Sequence, residues 1–392
     1  IYRESMLAAM VQQCIDELFS AVPEQVRLEK LDLPQGKTEF EVLDALNTMA
    51  GRNTEYKTCF RGAGAYRHFI PSVVRHLSSR EEFVTAYTPY QAEMSQGVLQ
   101  AIFEYQTTIC ELTGMEAANA SVYDGAHAAA EATAMFRDRK RTKTLISAAA
   151  KPMTIQTIKT YCESAGLELV VIPEKDGRTD TAALVAELDE TVSSIYIEQP
   201  NFYGLDEPVD DIIRESHQAG AKVIMGCYPI SLAVMKSPGE YGADAAVGEA
   251  QCLGMPLAFG GPYLGYMATT SANMRKLPGR IVGQTQDKNG RTAYVLTLQA
   301  REQHIRREKA SSSICSNEAL CALTATIYCA AMGPEGLKDV AGQCHAKAVY
   351  AAEKIGSVSG FDIQHTGFFF NEFVTNCPLD AETLQKKLDE EG

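Results

Sequence analysis

The sequence predicts an α/β protein: a large domain on a mostly parallel sheet, followed by a smaller C-terminal α+β domain. Two observations carry this. Between about residues 119 and 270, short apolar runs alternate with amphipathic stretches of helical period, most of them closing on a glycine or turn before the next run. Beyond about residue 315 the alternation gives way to long helical patterns, one aromatic run and a charged last helix. The expected divisions are an N-terminal helical or extended segment (1–70), the large domain (71–315) and the small domain (316–392).

In chain order, a helix is expected over 6–19, where Met6, Ala9, Met10, Cys14 and Leu18 recur at helical spacing behind Ser5 as N-cap. Thr38-Glu39-Phe40-Glu41 has the form of a capping box, and the helix it opens can run to Gly51. Residues 59–71 are rich in glycine and aromatics, have neither period, and read as an ordered loop. Over 95–114, Val98, Ile102, Tyr105, Ile109 and Leu112 form one helical stripe. Strands follow at 144–148, 168–172, 194–199, 222–227, 245–247 and 263–268, with helices at 154–164, 181–189 and 209–219 between them. Their crossovers should be right-handed. A strand over 292–298 leads into a basic stretch at 301–309, then helices at 317–331 and 335–355, a strand over 368–374 and a helix over 380–390. The sequence stops in that helix, so the small domain is expected to be incomplete.

Composition excludes several function classes. A net charge of −14 argues against nucleic acid and anionic membrane, which need clustered positive surface. No window approaches about 18 uninterrupted apolar residues, and residues 1–22 resemble neither a signal nor a transit peptide. The 11 cysteines are odd in number and contain no CxxC pair, which points to a reducing, cytoplasmic setting. Cys315, Cys321 and Cys329 are spaced for a helix face rather than a metal cage, and no HExxH occurs, so no metal is expected.

Four segments hold residues able to do chemistry. Tyr123-Asp124-Gly125-Ala126-His127 precedes a helix of small residues at 128–135; free N–H groups there suit a phosphate or carboxylate, and an ordinary helix start explains it as well. Thr85 to Glu93 packs Tyr87, Thr88 and Tyr90 around Pro89, a rigid hydroxyl-lined wall or an aromatic turn filling a core. Arg301, His304, Arg306, Arg307 and Lys309 run into Ser311-Ser312-Ser313, either an anion grip or a solvated face with Glu302 and Glu308 paired to arginine. Gly248 to Pro256, followed by Gly260-Gly261-Pro262, allows close backbone approach, and Gln251 at its centre cannot form an imine.

Taken together, FRGAGAYRHFIPSVVRHL (60–77), FVTAYTPYQAEMSQGVLQAIFEYQTTICELTGMEAANASVYDGA (83–126), YPISLAVMKSPGEYGADAAVGE (228–249), FGGPYLGY (259–266), LPGRIVGQTQD (277–287) and LTLQAREQHIRREKAS (296–311) resemble the glycine decarboxylase P-protein family of the glycine cleavage system. The closest likeness is to subunit 1 (alpha) of its two-subunit type. The resemblance implies the pyridoxal-phosphate-dependent transferase fold type I. It also implies the reaction: an oxidoreductase subunit that, only with its partner, decarboxylates glycine and passes the aminomethyl group to the lipoylated H-protein. The partner, subunit 2 (beta), would carry the pyridoxal phosphate in a heterotetramer. By motif register Gln251 stands where the catalytic subunit has its Schiff-base lysine, Lys151 where the family has its ring-stacking histidine, and Cys227 and Tyr228 where an aspartate would meet the pyridinium. This chain's own pocket is therefore expected to be vestigial. His127, Cys252, Ser311 and Ser313 also depart from the family pattern, where Thr, Pro, Thr and Asn are usual, as in a divergent member.

The expected contribution is to a shared site. Tyr87, Thr88, Tyr90 and Gln91 are the catalytic candidates, lining the approach of glycine or the lipoyl arm; Arg61, Gly62, His68, Ser311, Ser312 and Ser313 are the cross-interface cofactor-binding candidates. Two other readings stay open: a non-catalytic scaffold that stabilises subunit 2 or docks the H-protein, and a self-contained aminotransferase-like enzyme using Lys236.

Overall fold

The computed structural model describes residues 2–392 apart from 29, 57, 61, 86–88, 259, 311 and 315. It divides into two units, Ile1–Cys59 with Lys387–Gly392, and Phe60–Lys386.

The first unit holds α1 (Tyr2–Ala9), 3₁₀ turns at Ile15–Phe19 and Glu24–Val26, and α2 (Glu39–Ala50). The single helix expected over 6–19 is not formed. Val11 takes φ +59° and Gln12 N donates back to Leu7 O at 2.9 Å, a closure that ends α1 within two residues of its last turn. The capping box at Thr38 forms: Glu41 N donates to its Oγ1 at 3.3 Å, and its own N donates to Glu41 Oε2 at 2.8 Å.

In the second unit α3 (Ser72–Ser78) and α4 (Glu81–Val84) precede α5 (Gln96–Thr113), which ends on Gly114 in the left-handed region at φ +67°. Then come β1 (Ala117–Ala118), α6 (Gly125–Phe136), β2 (Lys143–Ser147), α7 (Pro152–Ser164) and β3 (Leu169–Ile172). A short hairpin, β4 (Glu174–Lys175) and β5 (Arg178–Thr179), leads to α8 (Thr181–Glu187), β6 (Val192–Gln199), α9 (Val209–Gln218), β7 (Lys222–Cys227), α10 (Pro238–Tyr241), β8 (Ala245–Glu249) and β9 (Gly265–Thr269). The rest comprises hairpin β10 (Ile281–Gln286) and β11 (Thr292–Thr297), α11 (Gln303–Arg306), α12 (Ala319–Gly356), β12 (Asp362–Ile363), β13 (Thr375–Asn376) and α13 (Ala381–Glu391), whose last residues fall in the first unit. The two helices expected at 317–331 and 335–355 lie within α12, broken where Gly333 takes φ +62° before Pro334.

The seven-stranded sheet has the order β1-β9-β8-β7-β6-β2-β3. From β3 to β8 neighbouring strands are parallel; β9 and β1 join antiparallel. The period of two splits its side chains cleanly between two faces. Leu145, Ile195, Ile197, Val223 and Met225 face one core with Tyr105, Ile109 and Ile212. Ile146, Tyr196, Ile224, Val247 and Met267 face the other with Ala128, Ala129 and Ala132 of α6. Those alanines keep α6 close to the sheet, so its N-terminus lies over the end of β8.

The strand expected over 368–374 is corrected. Gly367 turns the chain at φ +106°, and the run meets the 204–206 turn through one bridge, Leu205 with Phe369, and two backbone bonds, Phe370 N to Gly204 O at 2.9 Å and Asp206 N to Phe368 O at 3.5 Å. Phe370 is fully buried, while Phe368 is exposed.

Candidate functional site

In an open α/β sheet, ligands meet the carboxyl ends of the strands. Here those ends carry Glu198 (β6), Cys227 (β7) and Glu249 (β8), with the start of α6 beside them. Each is engaged by the chain itself.

Glu198 is the next-to-last residue of a strand buried at every position, an acid in an otherwise uncharged run. Its Oε1 accepts from Tyr196 OH at 2.9 Å and its Oε2 from Lys151 N at 3.1 Å. Burial raises its pKa, against the opposing pull of the Lys151 charge. The Lys151 side chain lies against the 62–68 loop, where a Cβ on Gly64 would come within 2.9 Å of its Cε. That loop is tied down twice. Ala63 N donates to Glu372 Oε1 at 2.6 Å and Tyr66 OH to Glu372 Oε2. His68 Nε2 bonds Tyr228 OH, with the two rings stacked 5.9 Å apart and Tyr66 edge-on to Tyr228 at 4.9 Å. Burial lowers the His68 pKa and raises those of Tyr228 and Cys227, so all three favour their neutral forms. The end of β7 is thus capped by this chain's own aromatic group.

Past β8, the Gln251 side chain is buried and donates from Nε2 to Met255 O at 2.7 Å. Glu249 gathers three backbone donors: Gln251 N and Leu264 N on Oε1, each at 2.9 Å, and Gly125 N on Oε2 at 3.0 Å. Asp124 caps α6 through His127 N at 2.9 Å and pairs with His127 Nδ1 at 2.7 Å.

A second polar group lies beside α5. Tyr90 OH donates to Asn317 Oδ1, and the Arg280 guanidinium sits 4.7 Å over the Tyr90 ring. Arg280 is paired with Glu302, both nearly sealed from solvent, and bonds His304 Nδ1 at 3.2 Å. Arg280 Nε, Arg301 Nε and Glu302 Oε1 are buried without a hydrogen-bond partner among the described residues. Burial pushes Glu302 up and Arg301 down.

The sequence candidates therefore separate. Tyr90 belongs to the Arg280 group, and Gln91 is exposed next to it in the chain. Gly62 and His68 belong to the 62–68 loop, where a Cβ on Gly62 would fall 2.0 Å from Glu372 Oε1. Ser312 is half-buried, its hydroxyl accepting from Ile314 N at 3.1 Å, while Ser313 is exposed. Tyr87, Thr88, Arg61 and Ser311 lie outside the described residues. Lys236 is paired with Asp210 at 3.1 Å and sits 4.0 Å over the Tyr241 ring. Tyr66, Glu198, Glu249, Arg280, Asn317 and Glu372 were not singled out from sequence. Two of them carried a signal: Glu198 as the one charged residue in a buried strand, and Glu249 as the acid in the glycine-bearing 248–256 stretch.

Glu131, 3% exposed, gives a pH prediction. It accepts from Tyr161 OH at 3.1 Å, with His127 and Arg137 also facing it, and burial raises its pKa above the ordinary 4.5. The folded state therefore holds its proton to higher pH than the unfolded chain; that stability is full below the unfolded pKa and is lost as pH rises through the folded one. Glu131→Gln should flatten the fall in melting temperature from about pH 5 upward. An unchanged slope would show that Glu131 does not titrate differently on folding.

Comparisons with known proteins agree in one direction. A family model described as "Glycine cleavage system P-protein" matches residues 2–391. A Moorella thermoacetica protein named "Probable glycine dehydrogenase (decarboxylating) subunit 1" is 52% identical over 392 residues, covering 100% of this chain and 88% of that one. The crystal structure of a glycine decarboxylase (P-protein) of the glycine cleavage system, in inhibitor-bound form, superposes with a TM-score of 0.94 at 42% identity, covering 99% of this chain and 88% of that one. A sphingosine-1-phosphate lyase from Burkholderia pseudomallei shares the fold, at a TM-score of 0.67 and 13% identity over 95% of this chain and 85% of that one.

Proposed function

The chain belongs to the glycine cleavage system P-protein family and has the fold type I architecture of pyridoxal-phosphate-dependent transferases, and from that premise we propose that it is subunit 1 of a glycine dehydrogenase (decarboxylating), active only with its partner subunit. In this reading the partner, subunit 2, carries the cofactor and its lysine, and the assembly decarboxylates glycine and delivers the aminomethyl group to the lipoyl arm of the H-protein. Pyridoxal phosphate supplies the electron sink wherever it is bound.

The observation that carries the reading is the state of this chain's own pocket. The side chain at the expected lysine position is a buried glutamine spent on Met255 O, and the start of α6 faces a carboxylate. These residues do not fit the cofactor. What remains for catalysis is a contribution across an interface, and Tyr90, which bonds Asn317 beside Arg280, is the candidate this reading rests on. Gln91, exposed next to Tyr90, is proposed to contribute with it; Tyr87, Thr88 and Ser311 stay candidates from the sequence alone. The ten described cysteines are free, in keeping with the proposed cytoplasmic setting.

Replacing Tyr87 and Tyr90 together by phenylalanine should lower glycine–bicarbonate exchange on the order of 10- to 100-fold, with the two-subunit complex still eluting intact. Full exchange activity would instead favour the scaffold reading, which the closed pocket also accommodates.

A further inference from the structure

We infer that the Glu249 carboxyl group occupies this chain's phosphate cradle and shuts phosphate-bearing ligands out of it. The inference rests on the reading that the cofactor is held elsewhere, and adds the physical reason.

The start of a helix presents free N–H groups and the positive end of its dipole, an arrangement suited to phosphate. α6 is 12 residues long, and its first N–H, that of Gly125, is directed at Glu249 Oε2. The other two donors on this carboxylate come from different segments: Gln251 N from the turn after β8, and Leu264 N from the approach to β9. Three stretches of backbone thus converge on one carboxylate carried by the last residue of β8. Their approach is tight, since a Cβ on Gly125 would lie 2.8 Å from Glu249 N and 2.9 Å from Gly248 C. A phosphate monoester placed here would compete for the same N–H groups. It would also meet two carboxylates, Glu249 and the capping Asp124, and like charges at such range repel strongly.

The cradle and the missing lysine are separate barriers. Gln251 removes the covalent anchor, whereas Glu249 removes the anion site. The second barrier is specific to phosphate and can be tested with inorganic phosphate alone, without activity.

The test is saturable orthophosphate binding to the full chain, read by phosphorus NMR line width and by melting temperature at matched ionic strength. Wild type and Glu249→Gln, which keeps the volume, should show no saturable binding. Glu249→Ala should melt lower than wild type, and saturating phosphate should raise its melting temperature by roughly 3–6 °C. Saturable binding to the wild type overturns the inference, as does a folded Glu249→Ala protein indifferent to phosphate. The wild-type arm remains decisive should that variant fail to fold. Glycine–bicarbonate exchange by the wild-type complex is measured separately, so a failed catalytic reading is told apart from a failed cradle.

Discussion

Arg280→Ala is expected to lower the free energy of unfolding by about 3–5 kcal/mol, the cost of leaving a buried carboxylate without its ion partner. The Arg280 and Glu302 side chains are only 9% and 3% exposed, so water cannot take over the pairing. Glu302 Oε1 already lacks a hydrogen-bond partner among the described residues, which leaves the group no reserve. The check is the urea midpoint at constant m-value. The double variant Arg280→Met, Glu302→Leu should recover most of the loss, because removing both charges leaves none stranded. A double variant as unstable as the single one would mean that Arg280 acts through packing on Tyr90 and not through its charge.

Gly204→Ala is expected to cost about 2–4 kcal/mol, through two effects that can be separated. Gly204 takes φ +85°, and a Cβ there would lie 2.0 Å from the backbone oxygen of Glu372. One of the two backbones must move, and Glu372 is the residue that ties down Ala63 and Tyr66. The variant should therefore also open the 62–68 loop to limited proteolysis. Gly166→Ala is the control: φ is +65° there and nothing lies within 4 Å, so only the conformational cost of about 1 kcal/mol is expected. Equal losses at the two positions would show that the contact with Glu372 has no role.

Much of the fold was legible because burial writes itself into local pattern. The expected 222–227 strand matches β7 to the residue, and the expected strands at 144–148, 194–199 and 263–268 overlap β2, β6 and β9, which are buried at every position. The helices between parallel strands and the Thr38 capping box followed from period and polar signals of the same local kind. Failures fell where the local signal was absent or misleading. The β10–β11 hairpin was half missed although Asn289-Gly290 marks its turn, because Ile281–Gln286 becomes polar and exposed along its length. The 6–19 helix was overextended because nothing in the apolar spacing announces a left-handed Val11.

For the site, the family segments and the residue types at Gln251, Lys151, Cys227 and Tyr228 were already present in the sequence, since each depends only on identity and order along the chain. The tertiary structure decided what those residues face. Glu249 and Gly125 are 124 residues apart and Ala63 and Glu372 are 309 apart, and no pattern within a window of a few turns can reveal such pairings. Hydrogen bonding and ion pairing between distant segments depend on where the sheet delivers each strand end. Chain identity is therefore local information, while the closing of this pocket by its own carboxylates and tyrosines is a property of the folded molecule.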